Sequence, residues 1–275
     1  MLIVTKRGYE KMDKIKLGVL VGGTSIEREV SKKSCENLLA NLDENKYEIT
    51  VYHLPADGNT EWAKNIISNP PQIVLSALHG GNGENGSIQG FLHCLNIPYI
   101  GSKVLSSAIC MNKAMAKTVM KANHIQVPDH VFVMRGVDFS QYKESIKLMG
   151  FPLIVKPNRG GSSIGVIVAR NMEDIHYGIK NIIETYDDDV LIEKFIDGKE
   201  INCCVLQGEN GPEAMAVLDV KKAGSVFVYD DKYHIDEYSS DITSLPDFMQ
   251  DMIKSIAVKT FNVLQCKGYA CVDMI

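Results

Sequence analysis

Two hydrophobic periodicities alternate along the first hundred residues. Ile15 to Val21 is a continuous apolar run of strand length, and Glu27 to Leu42 places Val30, Cys35, Leu38, Leu39 and Leu42 on one face of a helix. Ile49 to Leu54 and Gln72 to Leu78 read as two further strands, with a helical stretch from Thr60 to Ile67 between them. Strands separated by helices predict a parallel sheet with right-handed crossovers, whose ligands bind at loops beyond the strands' C-terminal ends. Gly22-Gly23-Thr24-Ser25 and His79-Gly80-Gly81-Asn82-Gly83-Glu84-Asn85-Gly86 occupy that position.

After a helical stretch from Asn112 to Asn123 the texture changes. Phe151 to Lys156, Ile164 to Arg170, Val190 to Ile196, Ile201 to Leu206 and Ala214 to Val220 read as strands with few long helices between them. This is the pattern of a second, α+β domain. Leu245 to Gln265 reads as a helix and Gly268 to Ile275 as a strand.

Composition narrows the class of protein. The 275 residues suit about two domains of ~100 to 200 residues, and 45% hydrophobic residues can fill their cores. The longest apolar runs fall far short of the ~20 residues that cross a bilayer, so no membrane partner is expected. Met1 to Lys14 mixes charges with few apolar residues and lacks the core of a secretory signal, which predicts a cytoplasmic protein. Met12-Asp13-Lys14-Ile15 leads straight into the first strand, so Met12 is a candidate start of translation. A formal charge of -5 without long runs of one sign argues against a nucleic-acid partner. Seven cysteines are an odd number with no C-x-x-C pair, and most sit among apolar neighbours as small buried residues do, which predicts a reducing compartment without structural zinc.

Several short motifs carry chemistry. Thr24-Ser25-Ile26-Glu27 fits a capping box, in which Glu27 reaches back three residues; the functional alternative makes Glu27 a carboxylate at the mouth of the sheet, able to receive an ammonium. Gly81-x-Gly83-x-x-Gly86 formally matches a dinucleotide fingerprint, but Tyr99, Ile100 and Gly101 stand where an acidic strand end belongs. A backbone able to approach a small substrate is the better reading, with His79 beside it. Lys156-Pro157-Asn158-Arg159-Gly160-Gly161-Ser162-Ser163-Ile164-Gly165 resembles a phosphate loop, yet Val166 stands where a Walker loop needs lysine. Between two strands it would be a hairpin whose N–H groups and Ser162 or Ser163 hydroxyls close over polyphosphate. Lys156 ends an apolar strand, where an ammonium requires an anion, either a phosphate or a neighbouring carboxylate. Val190 to Ile196 carries Glu193 and Lys194 within an apolar run. Spacing alone favours an edge strand with both facing water, against a hinge that reads adenine through its backbone.

Together these residues resemble the D-alanine:D-alanine ligase family, from about Lys14 to the last residue. The resemblance rests on Gly22 to Ser31, on Leu78-His79-Gly80 through Gly90, and on Ile97-Pro98-Tyr99-Ile100-Gly101-Ser102. Met111-Asn112-Lys113, the Lys156 to Gly165 loop, and Ile192-Glu193-Lys194 with Glu200 carry it further. It implies an α/β protein with a parallel-sheet substrate-binding (pre-ATP-grasp) domain over residues 1–111. An α+β ATP-grasp domain would follow over 112–275, with a central part at 112–200 and a last, incomplete part at 201–275. ATP would phosphorylate one D-alanine, and the amine of a second would attack the acyl phosphate, making a peptidoglycan precursor.

By position the resemblance gives Lys113 and Lys156 to the ATP phosphates, with Gly161, Ser162, Ser163 and the lid's Lys232. It gives Glu193, Lys194, Phe195 and Ile196 to adenine, and Glu200 to ribose. Glu27 would take the first D-alanine's ammonium, linked to Ser162 and Tyr233 of the Tyr229 to Tyr233 lid. His79 would lie near that substrate's carboxylate, and Asp273 would bind Mg²⁺, with Mn²⁺ as a substitute. The family is commonly a homodimer. This sequence departs from the family at Cys271, where arginine is usual, and at Gly160, Asn112 and Asn85. It ends at Ile275, before a Glu-x-Asn metal motif. Two other readings stand beside the ligase: a homologue that binds ATP with impaired catalysis, and a ligase whose second substrate is D-serine.

Overall fold

The computed structural model describes residues 13–220 and 240–275. The candidate start at Met12 and the lid residues Lys232 and Tyr233 lie outside the described residues. The chain divides into two compact units, one reaching to His79 and including Phe91–Ile100, the other made of Gly80–Gly90 and Gly101–Ile275.

In the first unit, β1 (Ile15–Gly22), α1 (Arg28–Asn41), β2 (Tyr47–Leu54), α2 (Glu61–Ser68) and β3 (Ile73–Ser76) follow one another. The sheet is parallel in the order β2-β1-β3, with Leu17 opposite both Ile49 and Ile73. As the central strand, β1 is covered on both faces, and Val19 and Leu20 are fully buried; a continuous apolar run is what such a position demands. Cys35 of α1 is buried against Leu17, Val19 and Val21, with Leu38, Leu39 and Leu42 packed around it. A parallel bridge from Val74 to Tyr99 extends the sheet.

The expected capping box does not form. Glu27 itself is the residue that precedes α1, no side chain caps the helix, and Ser25 Oγ accepts from the Glu27 N–H at 3.1 Å. The helix starts three residues later than a box on Thr24 requires.

The second unit holds α3 (Gly81–Glu84), part of α4 (Ser87–Cys94, which runs across the division), α5 (Val104–Met111) and α6 (Lys113–Ala122). Gly81–Glu84, half of the glycine-rich stretch expected as a loop, is therefore helical. Next come β4 (His130–Val133), α7 (Lys143–Met149), β5 (Leu153–Pro157), β6 (Ile167–Ala169), α8 (Met172–Tyr186) and β7 (Val190–Lys194). β8 (Ile201–Gly208), β9 (Gly211–Val220), β10 (Ser240–Ile242), α9 (Asp247–Val263) and β11 (Tyr269–Met274) complete it.

Two antiparallel sheets result, β4-β7-β5-β6 and β10-β9-β8-β11. The first is backed by α8, a 15-residue helix that the reading of few long helices missed. Its Ile175, Ile179 and Ile182 share a core with Leu153, Val155 and Ile192. A Cβ on Gly178 would come within 2.9 Å of Val155, so this glycine lets helix and sheet approach closely. The second sheet is backed by α9 through Ile253, Ala257 and Phe261.

Cys35, Cys203 and Cys266 are buried as expected, but Cys94 and Cys110 are exposed. Cys204 and Cys271, facing each other across β8 and β11, are joined as a disulfide, which the expectation of a reducing compartment did not anticipate.

The turn after β1 depends on one glycine. Gly22 has φ +96°, its N–H donates to the fully buried Ser31 Oγ at 2.8 Å, and a Cβ there would lie 2.5 Å from the Leu54 carbonyl oxygen. Gly58 also has positive φ but nothing within 4 Å of its missing Cβ. Gly58→Ala is expected to cost about 1 kcal/mol, the left-handed penalty alone, and Gly22→Ala at least ~2 kcal/mol because backbone must also move. Urea denaturation of the two variants checks this, and equal losses would contradict it.

Candidate active site

The two loops expected to bind ligand stand at the C-terminal ends of β1 and β3, neighbours in the sheet from which the chain runs outward in opposite senses. Such a switch point leaves a crevice. Glu27 at the first loop is 8% exposed. At the second, His79 Nε2 lies 2.8 Å from Ser34 Oγ of α1, a contact that fixes the imidazole's orientation. Ser31 serves the loop's backbone as an acceptor for Gly22.

In the second unit, four charged side chains converge. β7 is an inner strand between β4 and β5, so the expected edge strand with Glu193 facing water is wrong: Glu193 is 7% exposed, and only Lys194 is exposed. Its register places Glu193 beside Ile154, and its carboxylate meets the ammonium of Lys156 from β5. The other carboxylate oxygen lies 3.0 Å from Lys117 Nζ of α6. The anion required by Lys156 is thus a carboxylate within the protein itself. Burial pushes the Glu193 carboxyl up, but the charges and hydrogen bonds of Lys156 and Lys117 prevail and hold it below its ordinary value. Lys117 is lowered by burial, against the pull of Glu193.

Lys113 opens α6. Asn112 caps that helix by accepting from the Met115 N–H at 3.0 Å, so asparagine does here what aspartate would. The Lys113 ammonium donates to the carbonyls of Pro157 (3.2 Å) and Gly160, with Asn158 O at 3.5 Å. An ammonium at a helix N-terminus opposes the helix dipole, and loop carbonyls offset that. Burial, then the neighbouring Lys156 charge, drive the Lys113 pKa down to about 8, with Asp188 and Glu193 pulling the other way. Lys113 and Lys156 thus lie close enough for their charges to interact.

The glycine-serine loop is tied down at its start. Asn158 is fully buried, and its Oδ1 accepts from Ala114 N at 3.0 Å. Arg159 N–H donates to Asp188 Oδ2 at 2.6 Å, and its guanidinium to Asp189 Oδ2 at 2.7 Å. Beyond that anchor, Ser162 (φ 50°) and Ser163 (φ 58°) both adopt left-handed conformations, costing roughly 1–3 kcal/mol each, a strain usually kept where backbone must meet a ligand. Gly161, Ser162 and Ser163 are all at least partly accessible. Asn158 Nδ2 is buried with no hydrogen-bond partner among the described residues. A buried donor, two lysines and a strained loop suit a polyphosphate.

The segment assigned to adenine has its backbone partly committed. Lys194 N–H donates to Asp129 O at 2.9 Å and Phe195 N–H to Pro152 O at 3.3 Å. A base would then be read by Ile196 N–H and by strand carbonyls. Glu200 lies at the start of β8, its carbonyl accepting from Val220 N at 3.0 Å. Asp273, exposed on β11, accepts from Asn202 Nδ2 at 2.6 Å. Among the described residues no three His, Cys, Asp or Glu side chains gather to hold a metal. One carboxylate and its amide neighbour fall short of the near-octahedral oxygen shell of Mg²⁺.

Sequence reading missed Lys117, Asn158 and the Asp188-Asp189 anchor. Lys117 had a signal, standing one helical turn from Lys113 on the same face. The run Asp187-Asp188-Asp189 before β7 had one too, but nothing in it names Arg159 as partner.

Lys113 supplies a pH test. Its folded pKa of about 8 lies below the ordinary 10.5, so the unfolded chain binds more protons between those values. The penalty of burying the charge is fully present below pH 8 and is relieved as pH rises toward 10.5. NMR titration of ¹³Cε-labelled lysines, with Lys113 assigned by Lys113→Arg, is expected to show one midpoint near 8; a Lys113 midpoint above 10 would contradict the geometry.

Comparison with known proteins agrees with this architecture. The family model described as D-ala D-ala ligase C-terminus matches residues 119–275, and the one described as D-ala D-ala ligase N-terminus matches residues 60–102. A D-alanine:D-alanine ligase of Bacillus anthracis is 36% identical over 262 residues, which cover 95% of this chain and 82% of that protein. The crystal structure of the Bacillus anthracis ligase complexed with ATP superposes with a TM-score of 0.79 at 32% identity, over 96% of this chain and 82% of that one. The VanG D-Ala:D-Ser ligase from Enterococcus faecalis gives 0.81 at 27% identity, over 96% and 86%. The antiparallel ATP-grasp sheets, the parallel-sheet unit before them and the match along nearly the whole chain lead to one conclusion: the chain belongs to the D-alanine:D-alanine ligase family.

Proposed function

We propose that this protein joins two D-alanine molecules at the expense of ATP, in the cytoplasm, for peptidoglycan synthesis. The γ-phosphoryl group passes from ATP to the carboxylate of the first D-alanine. The amine of the second attacks the acyl phosphate, and inorganic phosphate leaves as the peptide bond forms. What supports this reading is that Lys113 donates to the Pro157 and Gly160 carbonyls of the strained glycine-serine loop, while Glu193 holds Lys156 on the strand that leads into it.

In this reading the two ammonium groups and the N–H groups of Gly161, Ser162 and Ser163 neutralise and position the phosphates, where most of the catalysis of phosphoryl transfer arises. Lys232 is given to the same phosphates. The Glu193 to Ile196 strand end meets adenine and Glu200 the ribose. Glu27 receives the ammonium of the first D-alanine, Ser162 and Tyr233 take part in the same step, and His79, oriented by Ser34, serves its carboxylate. Mg²⁺ or Mn²⁺ would accompany the nucleotide, held mainly by its phosphates, and Asp273 would add one carboxylate oxygen. A homodimer is the proposed assembly.

The likeness to the VanG ligase supports a second reading, with D-serine as the second substrate. Phosphate release with ATP, Mg²⁺ and D-alanine is expected, falling by about 10²-fold or more in Lys156→Ala. Nucleotide binding without turnover by the wild-type protein would overturn the ligase reading. With both amino acids present, mass analysis of the dipeptide distinguishes the acceptors: predominance of D-alanyl-D-alanine supports the first, and D-alanyl-D-serine the second.

A further inference from the structure

Among the described residues β11 is the outermost strand of its sheet, and its contacts with β8 are unusual on one face. Cys271 is the direct partner of Cys204, Asp273 of Asn202 and Tyr269 of Leu206, so three cross-strand pairs lie in a row. The opposite face, with Cys203 and Val205, is buried against α9, whereas Cys271 and Asp273 are exposed and Cys204 and Asn202 half-buried. The Cys204 and Cys271 Cα atoms are 4.1 Å apart, the close spacing of a non-hydrogen-bonded antiparallel pair, which brings the two sulfurs together without moving either strand.

Asn202 serves both neighbours. Its Nδ2 donates to Asp273 Oδ1 at 2.6 Å, and its Oδ1 lies 3.5 Å from Cys204 Sγ. In the dithiol the Cys204 S–H has that oxygen as its acceptor; in the disulfide there is no S–H to give. One amide therefore senses the state of the sulfurs and holds the Asp273 carboxylate.

We propose that Cys204 and Cys271 form a reversible thiol–disulfide couple, a redox modification site that staples β11, the strand carrying Asp273. The oxidant class is a low-molecular-weight disulfide such as oxidised glutathione. The thiolate of exposed Cys271 attacks one of its sulfurs and expels one thiol as thiolate. Cys204, as thiolate, then attacks the mixed disulfide at Cys271 and expels the second. Two protein thiols lose two electrons and two protons in all, and one small disulfide becomes two thiols. The reverse exchange restores the dithiol, in which β11 is held by its backbone ladder and the Asn202–Asp273 hydrogen bond. The couple does not depend on the ligase reading, since neither sulfur needs ATP or D-alanine.

The test uses the full chain equilibrated in glutathione buffers from fully reduced to fully oxidised, then trapped with alkylating agent and mapped by mass spectrometry. A Cys204–Cys271 linked peptide is expected to appear with oxidation and vanish on return to reducing buffer. Hydrogen exchange at Val272 to Met274 is expected to slow at least several-fold in the oxidised form, and the thermal midpoint to rise by roughly 5–10 °C. Cys204→Ser and Cys271→Ser should each abolish all three changes. Cys110→Ser should abolish none, although Cys110 also neighbours a second cysteine, Cys266. Alkylation of both Cys204 and Cys271 as free thiols across the whole range, or linkage that persists in Cys204→Ser, would overturn the proposal, as would exchange at β11 that ignores the redox state.

Discussion

Everything in the second unit turns on keeping a buried carboxylate charged. Glu193 sits on an inner strand, where an isolated carboxylate would be expelled or neutralised, and it persists as an anion because Lys156 and Lys117 reach it from two different elements. The arrangement constrains all three: β5 must deliver Lys156 at its end, and α6 must run past with Lys117 inward. Lys113, one turn earlier on α6, donates instead to the loop carbonyls of Pro157 and Gly160 and still feels those charges. Two cations against one anion leave a surplus of positive charge, increased by Lys113, in a region with little water to screen it. A polyphosphate is the natural counterpart of such a surplus.

The glycine-serine loop extends the same logic to the backbone. Its first residues are fixed by Asn158 under the start of α6 and by Arg159 on Asp188 and Asp189. The residues that follow hold left-handed conformations at Ser162 and Ser163, and Gly165 could not carry a Cβ without meeting Tyr186. A rigid start and a strained, accessible middle give donors whose positions are set before a ligand arrives, which lowers the cost of ordering them around phosphate.

Much of this was legible in the amino-acid order, and the failures have physical causes. β1 and α1 could be read because each is periodic within itself, and Lys156 announced itself as a charge at the end of an apolar run. Glu193 was misread because alternation along a strand does not reveal whether that strand is central; only the order β4-β7-β5-β6 does. Thr24 to Glu27 satisfied the spacing of a capping box, yet Gly22 and Ser31 settled the turn through a contact nine residues apart. α8 carried a readable stripe of Ile175, Ile179 and Ile182 behind an Asn171 cap, so that omission was avoidable. The joining of Cys204 to Cys271 was not, because 67 residues separate them and only strand pairing brings them together. Lys232 and Tyr233, given roles by resemblance, lie outside the described residues.

The account stands on Lys113 and Lys156 addressing one triphosphate. A crystal structure of this protein with a non-hydrolysable ATP analogue tests that directly. The expected result is both ammonium nitrogens within hydrogen-bonding distance of the analogue's phosphate oxygens, with the loop at Ser162 and Ser163 closed over them. A nucleotide bound elsewhere, or phosphates contacted by neither lysine while Glu193 keeps its present partners, would contradict it.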